Sequence, residues 1–70
     1  MEYEQPILNA EELKLKADMC FEEHKKVFEK WEHGDIVEYH QDNQGRIIIK
    51  YQSGAWWHYL VTRANEVIWW

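Results

Sequence analysis

The hydrophobic positions in the first half of the chain recur at steps of three and four residues. They are Leu13, Ala17, Cys20, Phe21, His24, Val27, Phe28 and Trp31. This spacing places the side chains on one face of an α-helix, and charged residues occupy most of the opposite face. The pattern predicts an amphipathic helix over residues 10–33, preceded by a lead-in at residues 1–9.

Residues suited to helix ends flank this stripe. Asn9 is a favourable N-cap residue, and Glu12 stands where its side chain can complete a capping box. Gly34 is suited to the left-handed conformation that commonly ends a helix. These residues predict a helix that begins after Asn9 and ends just before Gly34.

After Gly34 the hydrophobic period changes to two, which is typical of β-strands. Short, turn-like segments separate the strand-like runs, and such short links join only antiparallel neighbours. The runs cover residues 36–41, 46–51, 55–62 and 67–70. Residues 35–70 therefore predict a four-stranded antiparallel β-meander. The expected fold class is α+β, one domain in which the N-terminal helix packs on one face of the sheet.

Charge and apolar pairing favour one register for the first hairpin. A three-residue loop at residues 43–45, with a left-handed Gly45, brings unlike charges and apolar residues opposite one another. A two-residue loop would set charged residues against apolar ones. The favoured pairs are Asp42 with Arg46, Glu38 with Lys50, Tyr39 with Ile49 and Val37 with Tyr51.

Each tryptophan doublet near the C-terminal end should divide between the two sheet faces, because neighbouring strand residues point in opposite directions. A two-residue turn at Ser53-Gly54 predicts Trp56 opposite Tyr51 in the core and Trp57 outside. A four-residue loop at residues 63–66 predicts Trp69 beside Leu60 in the core and Trp70 outside. A one-residue slip would exchange Trp69 and Trp70.

These registers predict an aromatic patch on the sheet face that points away from the helix. Exposed apolar patches with tryptophan and tyrosine are typical of protein contact sites. We therefore expect a small non-enzymatic protein that binds a protein partner or a second copy of itself. The predicted contact residues are Ile48, Trp57, Tyr59, Val61 and Trp70.

Three alternatives compete for this patch. Residues 1–8, through Tyr3, Ile7 and Leu8, could fold over it, or the sheet could curl into a barrel. In the other functional class, nucleic-acid bases or a small ligand could stack on the exposed rings.

Composition bears on these alternatives. Thirteen acidic and eight basic side chains give a net charge of −5, which opposes binding to a phosphate backbone or an anionic membrane.

The first residues do not resemble a signal peptide, and no apolar run reaches the length of a membrane span. A single cysteine suits a reducing compartment. We expect a cytoplasmic protein that binds neither membrane nor, as a rule, nucleic acid.

Candidate chemistry is sparse. Cys20 and His24 are one helical turn apart, and His58 is predicted on the sheet face that meets them, so three zinc-type ligands could converge. No CxxC or HxxxH spacing accompanies them, and a buried cysteine and histidine are more simply core residues. We therefore expect no metal, no cofactor and no catalytic residue.

The segment Gly34-Asp35-Ile36-Val37, followed by short strands, resembles the opening of many small SH3-like barrels. The resemblance covers only the C-terminal half of the chain. It implies a curled sheet as the alternative to an open one, and it carries no functional residue.

Overall fold

The computed structural model describes residues 7–70. Helix α1 (Ala10–Lys25) precedes the strands β1 (Ile36–Gln41), β2 (Ile47–Tyr51), β3 (Trp56–Val61) and β4 (Val67–Trp69). The strands form one antiparallel sheet in the order β1-β2-β3-β4, and α1 packs on one of its faces. The predicted α+β fold is confirmed. The sheet is not closed into a barrel, so the SH3-like alternative is wrong.

The predicted capping box is present at the start of α1. The Asn9 side-chain oxygen accepts a hydrogen bond from the Glu12 backbone N–H at 2.8 Å. The Glu12 carboxylate accepts one from the Asn9 backbone N–H at 3.3 Å. These bonds satisfy backbone donors that have no partner within the helix.

No helix in residues 7–70 has the length and apolar character that crossing a bilayer requires.

The helix ends at Lys25, so the predicted end at residue 33 is wrong. In a continuous helix Trp31 would lie about 10.5 Å beyond His24 along the axis. The chain turns instead, and the two rings pack with their centroids 5.1 Å apart. The Trp31 indole Nε1 donates to the Gly34 carbonyl at 2.7 Å. Gly34 is left-handed, with φ 77°, but it leads into β1 rather than ending the helix.

All three hairpins use the same kind of three-residue loop. In each loop the last residue has a positive φ, which is 85° at Gly45, 92° at Gly54 and 63° at Asn65. The backbone N–H of the residue before each loop donates to the carbonyl of the residue after it. These closing pairs are Asp42 with Arg46, Tyr51 with Ala55, and Thr62 with Glu66.

The register predicted for the first hairpin is confirmed over most of its length. Glu38 pairs with Lys50 and Tyr39 with Ile49, as expected. The register then shifts at a bulge, and Tyr51 pairs with Ile36. The predicted pairing of Val37 with Tyr51 is therefore wrong, because the bulge leaves one residue of β1 without an opposite partner.

The other two predicted registers are each wrong by one residue. Trp56 pairs with Lys50 rather than Tyr51, and Trp69 pairs with Tyr59 rather than Leu60. A shift of one residue moves side chains to the opposite sheet face. The first shift turns Trp57 toward α1 and Trp56 outward. The second shift cancels the effect of the first on β4. Trp69 therefore faces the core and Trp70 points outward, as predicted.

The core lies between α1 and the inner face of β2 and β3. Because α1 ends early, Val27 and Phe28 are exposed although the stripe predicted them to be buried. Met19, expected on the polar side of the helix, packs against the core. The buried side chains of residues 7–70 are Ala17, Cys20 and His24 from the helix and Ile47, Ile49, Tyr51, Tyr59 and Val61 from the sheet.

Candidate functional site

The sheet face opposite α1, here called the outer face, consists of three rows that run across the strands. Strand register and the alternation of side chains define the rows. The first row is Glu38, Lys50 and Trp56. The second is His40, Ile48, His58 and Trp70. The third is Asp42, Arg46, Leu60 and Ile68.

The apolar half of the outer face lies on β3 and β4. Trp56 is 55% exposed, Trp70 is 52% exposed and Ile68 is 46% exposed. These are large fractions for side chains of this size on an ordered sheet. The outer face therefore presents apolar area to solvent on a rigid support.

Three rings form an aromatic cluster on this half, namely Trp56, His58 and Trp70. The His58 imidazole stacks on the Trp70 indole, with centroids 5.2 Å and planes 6° apart. Trp56 meets the same imidazole at 5.1 Å and 62°. Reciprocal backbone hydrogen bonds of 3.1 and 3.2 Å between His58 and Trp70 hold the stacked pair in place. The cluster is therefore ordered by backbone pairing as well as by ring contacts.

The polar half of the outer face lies on β1 and β2. Glu38 stands opposite Lys50, but within residues 7–70 neither side chain belongs to an ion pair. An open depression of about 600 Å³ extends from this half to the aromatic cluster. Its lining includes Glu38, His40, Ile48, Lys50, Trp56 and His58.

A closed ion pair lies at the end of the first hairpin. Arg46 Nε is 2.6 Å from Asp42 Oδ2, and Asp42 Oδ1 accepts backbone N–H bonds from Gln44 and Arg46, each at 2.9 Å. Burial raises the pKa of Asp42, but the hydrogen bonds outweigh this effect and bring the pKa below its usual value. This carboxylate orders the loop.

The predicted contact residues divide between the two faces. Ile48 and Trp70 lie on the outer face, as expected. Trp57, Tyr59 and Val61 face α1, and both Tyr59 and Val61 are buried. Their predicted outward placement is wrong because the second hairpin has a three-residue loop instead of the expected two-residue turn.

Sequence reasoning missed Trp56 as an outward residue, although a usable signal was present. The segment Gln52-Ser53-Gly54 carries glycine at its third position, as Asn43-Gln44-Gly45 does. Treating both segments as the same kind of loop pairs Tyr51 with Ala55. That register turns Trp56 outward and Trp57 toward the helix.

A buried hydrogen-bonded chain crosses the core from α1 to β2. His24 Nδ1 is 2.7 Å from the Tyr59 hydroxyl, and that hydroxyl is 2.6 Å from the Tyr51 hydroxyl. Burial, and to a lesser degree His33, lowers the pKa of His24. Burial raises the pKa of Tyr51 to about 12 and also raises the pKa of Tyr59. The Tyr59 hydroxyl therefore joins the His24 imidazole to the Tyr51 hydroxyl within the core.

Aromatic rings surround the His24 imidazole. Trp69 is closest, with a centroid separation of 4.4 Å, and Trp57 follows at 4.7 Å. Phe28, Trp31 and Tyr59 lie between 5.1 and 5.5 Å. The inward tryptophan of each doublet, Trp57 or Trp69, therefore packs in the core.

The possible zinc ligands do not converge. His24 and Cys20 are in the core, whereas the shifted register places His58 on the outer face. Burial raises the pKa of the Cys20 thiol to about 12, so the reactive thiolate is scarce at neutral pH. Among residues 7–70, no group of histidine, cysteine and carboxylate side chains could hold a metal ion.

The described part of the lead-in does not lie over the aromatic cluster. The Leu8 backbone N–H donates to Gln41 Oε1 at 2.8 Å, and Gln41 shares the inner side of β1 with Tyr39. Ile7 is 69% exposed. Tyr3 and the rest of residues 1–6 lie outside the described residues, so the predicted covering segment is tested only at Ile7 and Leu8.

Comparison of the chain with protein-family models, with curated proteins and with solved structures gives no match. The outer face is therefore interpreted from its own side chains. Its features are two half-exposed tryptophans, a histidine held between them, and a polar half with two carboxylates and two cations.

Proposed function

We propose that this chain is a non-enzymatic interaction protein that contacts a protein partner, or a second copy of itself, through the outer face. One observation carries the proposal. Trp56 and Trp70 flank His58 on an ordered sheet, and about half of each indole is open to solvent. Tryptophan is strongly enriched among the residues that dominate binding energy.

The exposed area of these two indoles is large enough to contribute substantially to a binding free energy. A tryptophan side chain buries roughly 150–250 Å² when fully covered, so about half of two rings amounts to roughly 200 Å². At about 25 cal/mol per Å², covering it contributes about 5 kcal/mol before the costs of association. The aromatic cluster could therefore supply much of the affinity of a modest interface.

The location of the perturbed titratable groups supports a non-enzymatic role. Catalytic acids, bases and nucleophiles usually combine a shifted pKa with access to substrate. Cys20, His24, Tyr51 and Tyr59 have shifted pKa values, but all four are buried in the core. Asp42 on the outer face also has a lowered pKa, but its carboxylate is paired with Arg46. The outer face offers an open surface instead.

A cytoplasmic location is part of the proposal. Cys20 is free and buried, and unpaired cysteines suit a reducing compartment. The expected partner is a protein, because the net charge of −5 opposes a phosphate backbone.

A matched pair of double variants tests the contact face. Trp56→Ser with Trp70→Ser removes the outward indoles. Leu15→Ser with Val27→Ser removes two apolar side chains exposed on or beside the helix. Wild type and both variants are used as bait in crosslinking and capture. We expect the tryptophan variant to lose association and the control variant to keep it. The circular dichroism spectra of both variants should match that of the wild type. Equal association by both variants would contradict it.

A stacked nucleic-acid base or small aromatic ligand is the second candidate. Lys50 stands opposite Trp56, and both line the depression, so a cation lies beside an open ring. Titration with single-stranded oligonucleotides at low and physiological salt tests this candidate. Quenching of tryptophan fluorescence that weakens with salt would support it. No quenching would leave the protein partner as the favoured occupant.

A further inference from the structure

We propose that the outer face binds a second copy of this chain, so that two sheets pack face to face in a symmetric dimer. The inference rests on the proposed function and names its partner. The charge of the face and the order of its strands together favour this occupant, and the area of the face bears on the strength of the dimer.

Charge separates the outer face from the rest of the surface. Its charged residues are Glu38, Asp42, Arg46 and Lys50, so the face has no net charge when its histidines are neutral. Residues 7–70 hold eleven acidic and eight basic side chains, so their excess of three negative charges lies outside this face. Two copies that met through the rest of this surface would on average bring like charges together, which opposes association. Two outer faces can approach without that repulsion.

The strand order indicates how two faces fit. The carboxylates Glu38 and Asp42 lie on β1 or at its end, the cations Arg46 and Lys50 lie on or beside β2, and the apolar half lies on β3 and β4. A two-fold axis perpendicular to the strands would set each β1 against its counterpart and bring carboxylates together. An axis that runs parallel to the strands over β3 avoids this contact.

With the axis over β3, each β2 lies across from β4 of the second copy. Ile48 then faces Trp70 of the second copy, and Lys50 lies beside that indole, where a cation is favourable. Trp56 and Leu60 meet their own counterparts near the axis. The carboxylates of β1 remain in water at the rim. This arrangement has an apolar centre and a polar rim, as protein interfaces commonly do.

The available area predicts a weak dimer. With β1 at the rim, the overlap covers three strands about 4.8 Å apart and about six residues long, or roughly 14 by 20 Å. Covering this area buries on the order of 300–450 Å² per copy, less than the roughly 800 Å² of a standard interface. We therefore expect dissociation constants in the range of about 1–100 µM, so that dimer and monomer exchange at accessible concentrations.

Light scattering over a concentration series tests the dimer. From about 5 to about 500 µM, the average mass of the wild type should increase with concentration toward twice the monomer mass of 8.7 kDa. The Trp56→Ser/Trp70→Ser variant should remain monomeric, and Leu15→Ser should behave as the wild type does. Ile68→Lys on the same face provides a second disruptive variant if the double variant unfolds. A wild type that stays at 8.7 kDa throughout would overturn the inference.

Site-specific crosslinking tests the position of the axis. Leu60→Cys and His40→Cys each place one thiol on the outer face, while the native Cys20 is buried. With a short bismaleimide, Leu60→Cys should give covalent dimers and His40→Cys should not. Efficient dimers from His40→Cys alone would overturn the arrangement.

The capture experiment separates failure of this inference from failure of the proposed function. If the wild type is monomeric but captures a protein that the Trp56→Ser/Trp70→Ser variant loses, the contact face stands and the second copy does not. If the wild type neither self-associates nor captures a partner through these tryptophans, both are wrong.

Discussion

Trp56 and Trp57 are adjacent in the chain but lie on opposite faces of the sheet. Trp56 is half-exposed on the outer face, whereas the Trp57 indole packs edge-on against His24, with centroids 4.7 Å apart. The doublet thus combines one side chain that builds the core with one that faces solvent.

This division predicts opposite outcomes for two single substitutions. Trp57→Ser removes a ring from the His24 cluster and should lower the free energy of unfolding by about 2–4 kcal/mol. Trp56→Ser removes a half-exposed ring and should change it by less than about 1 kcal/mol. Urea titration followed by far-UV circular dichroism measures both. The reverse order of stability would show that the register of β3 is wrong.

The His24 chain predicts acid sensitivity of the fold. Burial lowers the pKa of His24 in the folded state below its ordinary value of 6.5, so the unfolded chain binds the proton more readily. Stability should therefore be complete above pH 6.5 and fall as the pH drops below that value. The titratable groups that act on the imidazole are Tyr59, which is hydrogen-bonded to it, and His33.

Urea titrations between about pH 5 and about pH 7.5 measure this dependence, which cannot exceed about 1.4 kcal/mol per pH unit for one proton. In His24→Gln the slope of stability against pH should be reduced, because the titrating group is absent. An identical slope in wild type and variant would contradict the assignment to His24.

Tyr59 should matter more to the buried chain than Tyr51. Tyr59→Phe leaves both the His24 ring nitrogen and the Tyr51 hydroxyl without their observed partner. The expected loss of unfolding free energy is about 2–3 kcal/mol. Tyr51→Phe keeps the His24–Tyr59 hydrogen bond and should cost about 1 kcal/mol. Thermal or urea unfolding of the two variants gives the comparison, and equal losses would argue against a chain centred on Tyr59.

The second hairpin loop predicts a purely conformational effect at Gly54. Its φ is 92°, and an added Cβ would meet no atom within 4 Å. Gly54→Ala should therefore destabilise by about 1–2 kcal/mol through backbone strain alone. Gly54→Asn should cost less, because asparagine tolerates this region and Asn65 occupies the same place in the third loop. Urea titration of both variants tests the shared loop geometry.

Local chemistry was enough to predict several parts of the fold. The start of α1 depends on Asn9 and Glu12, which interact within one helical turn. The first hairpin depends on its loop and on the Glu38–Lys50 pairing, both readable from nearby residues. The separation of each tryptophan doublet between two faces follows from strand alternation, which no choice of register alters.

The missed features depend on contacts between distant parts of the chain. Beyond the end of α1 the chain turns back, and Trp31 packs beside His24 and hydrogen-bonds to the Gly34 carbonyl. Beside the bulge in β1, the Gln52 backbone N–H donates to the Asp35 carbonyl at 3.1 Å, which joins segments distant in the chain. The second register was recoverable from Gly54, but Ser53-Gly54 also suits a two-residue turn. The two-residue turn wrongly puts Trp57, rather than Trp56, in the predicted contact face.

The indole N–H resonances of the five tryptophans, followed by NMR across a concentration series, test the contact face most directly. The dimer predicts concentration-dependent shifts for Trp56 and Trp70, while Trp31, Trp57 and Trp69 stay unchanged. Assignments come from single Trp→Phe variants. Shifts confined to the three inward indoles, or no shift for Trp56 and Trp70 up to about 500 µM, would contradict self-association through the outer face.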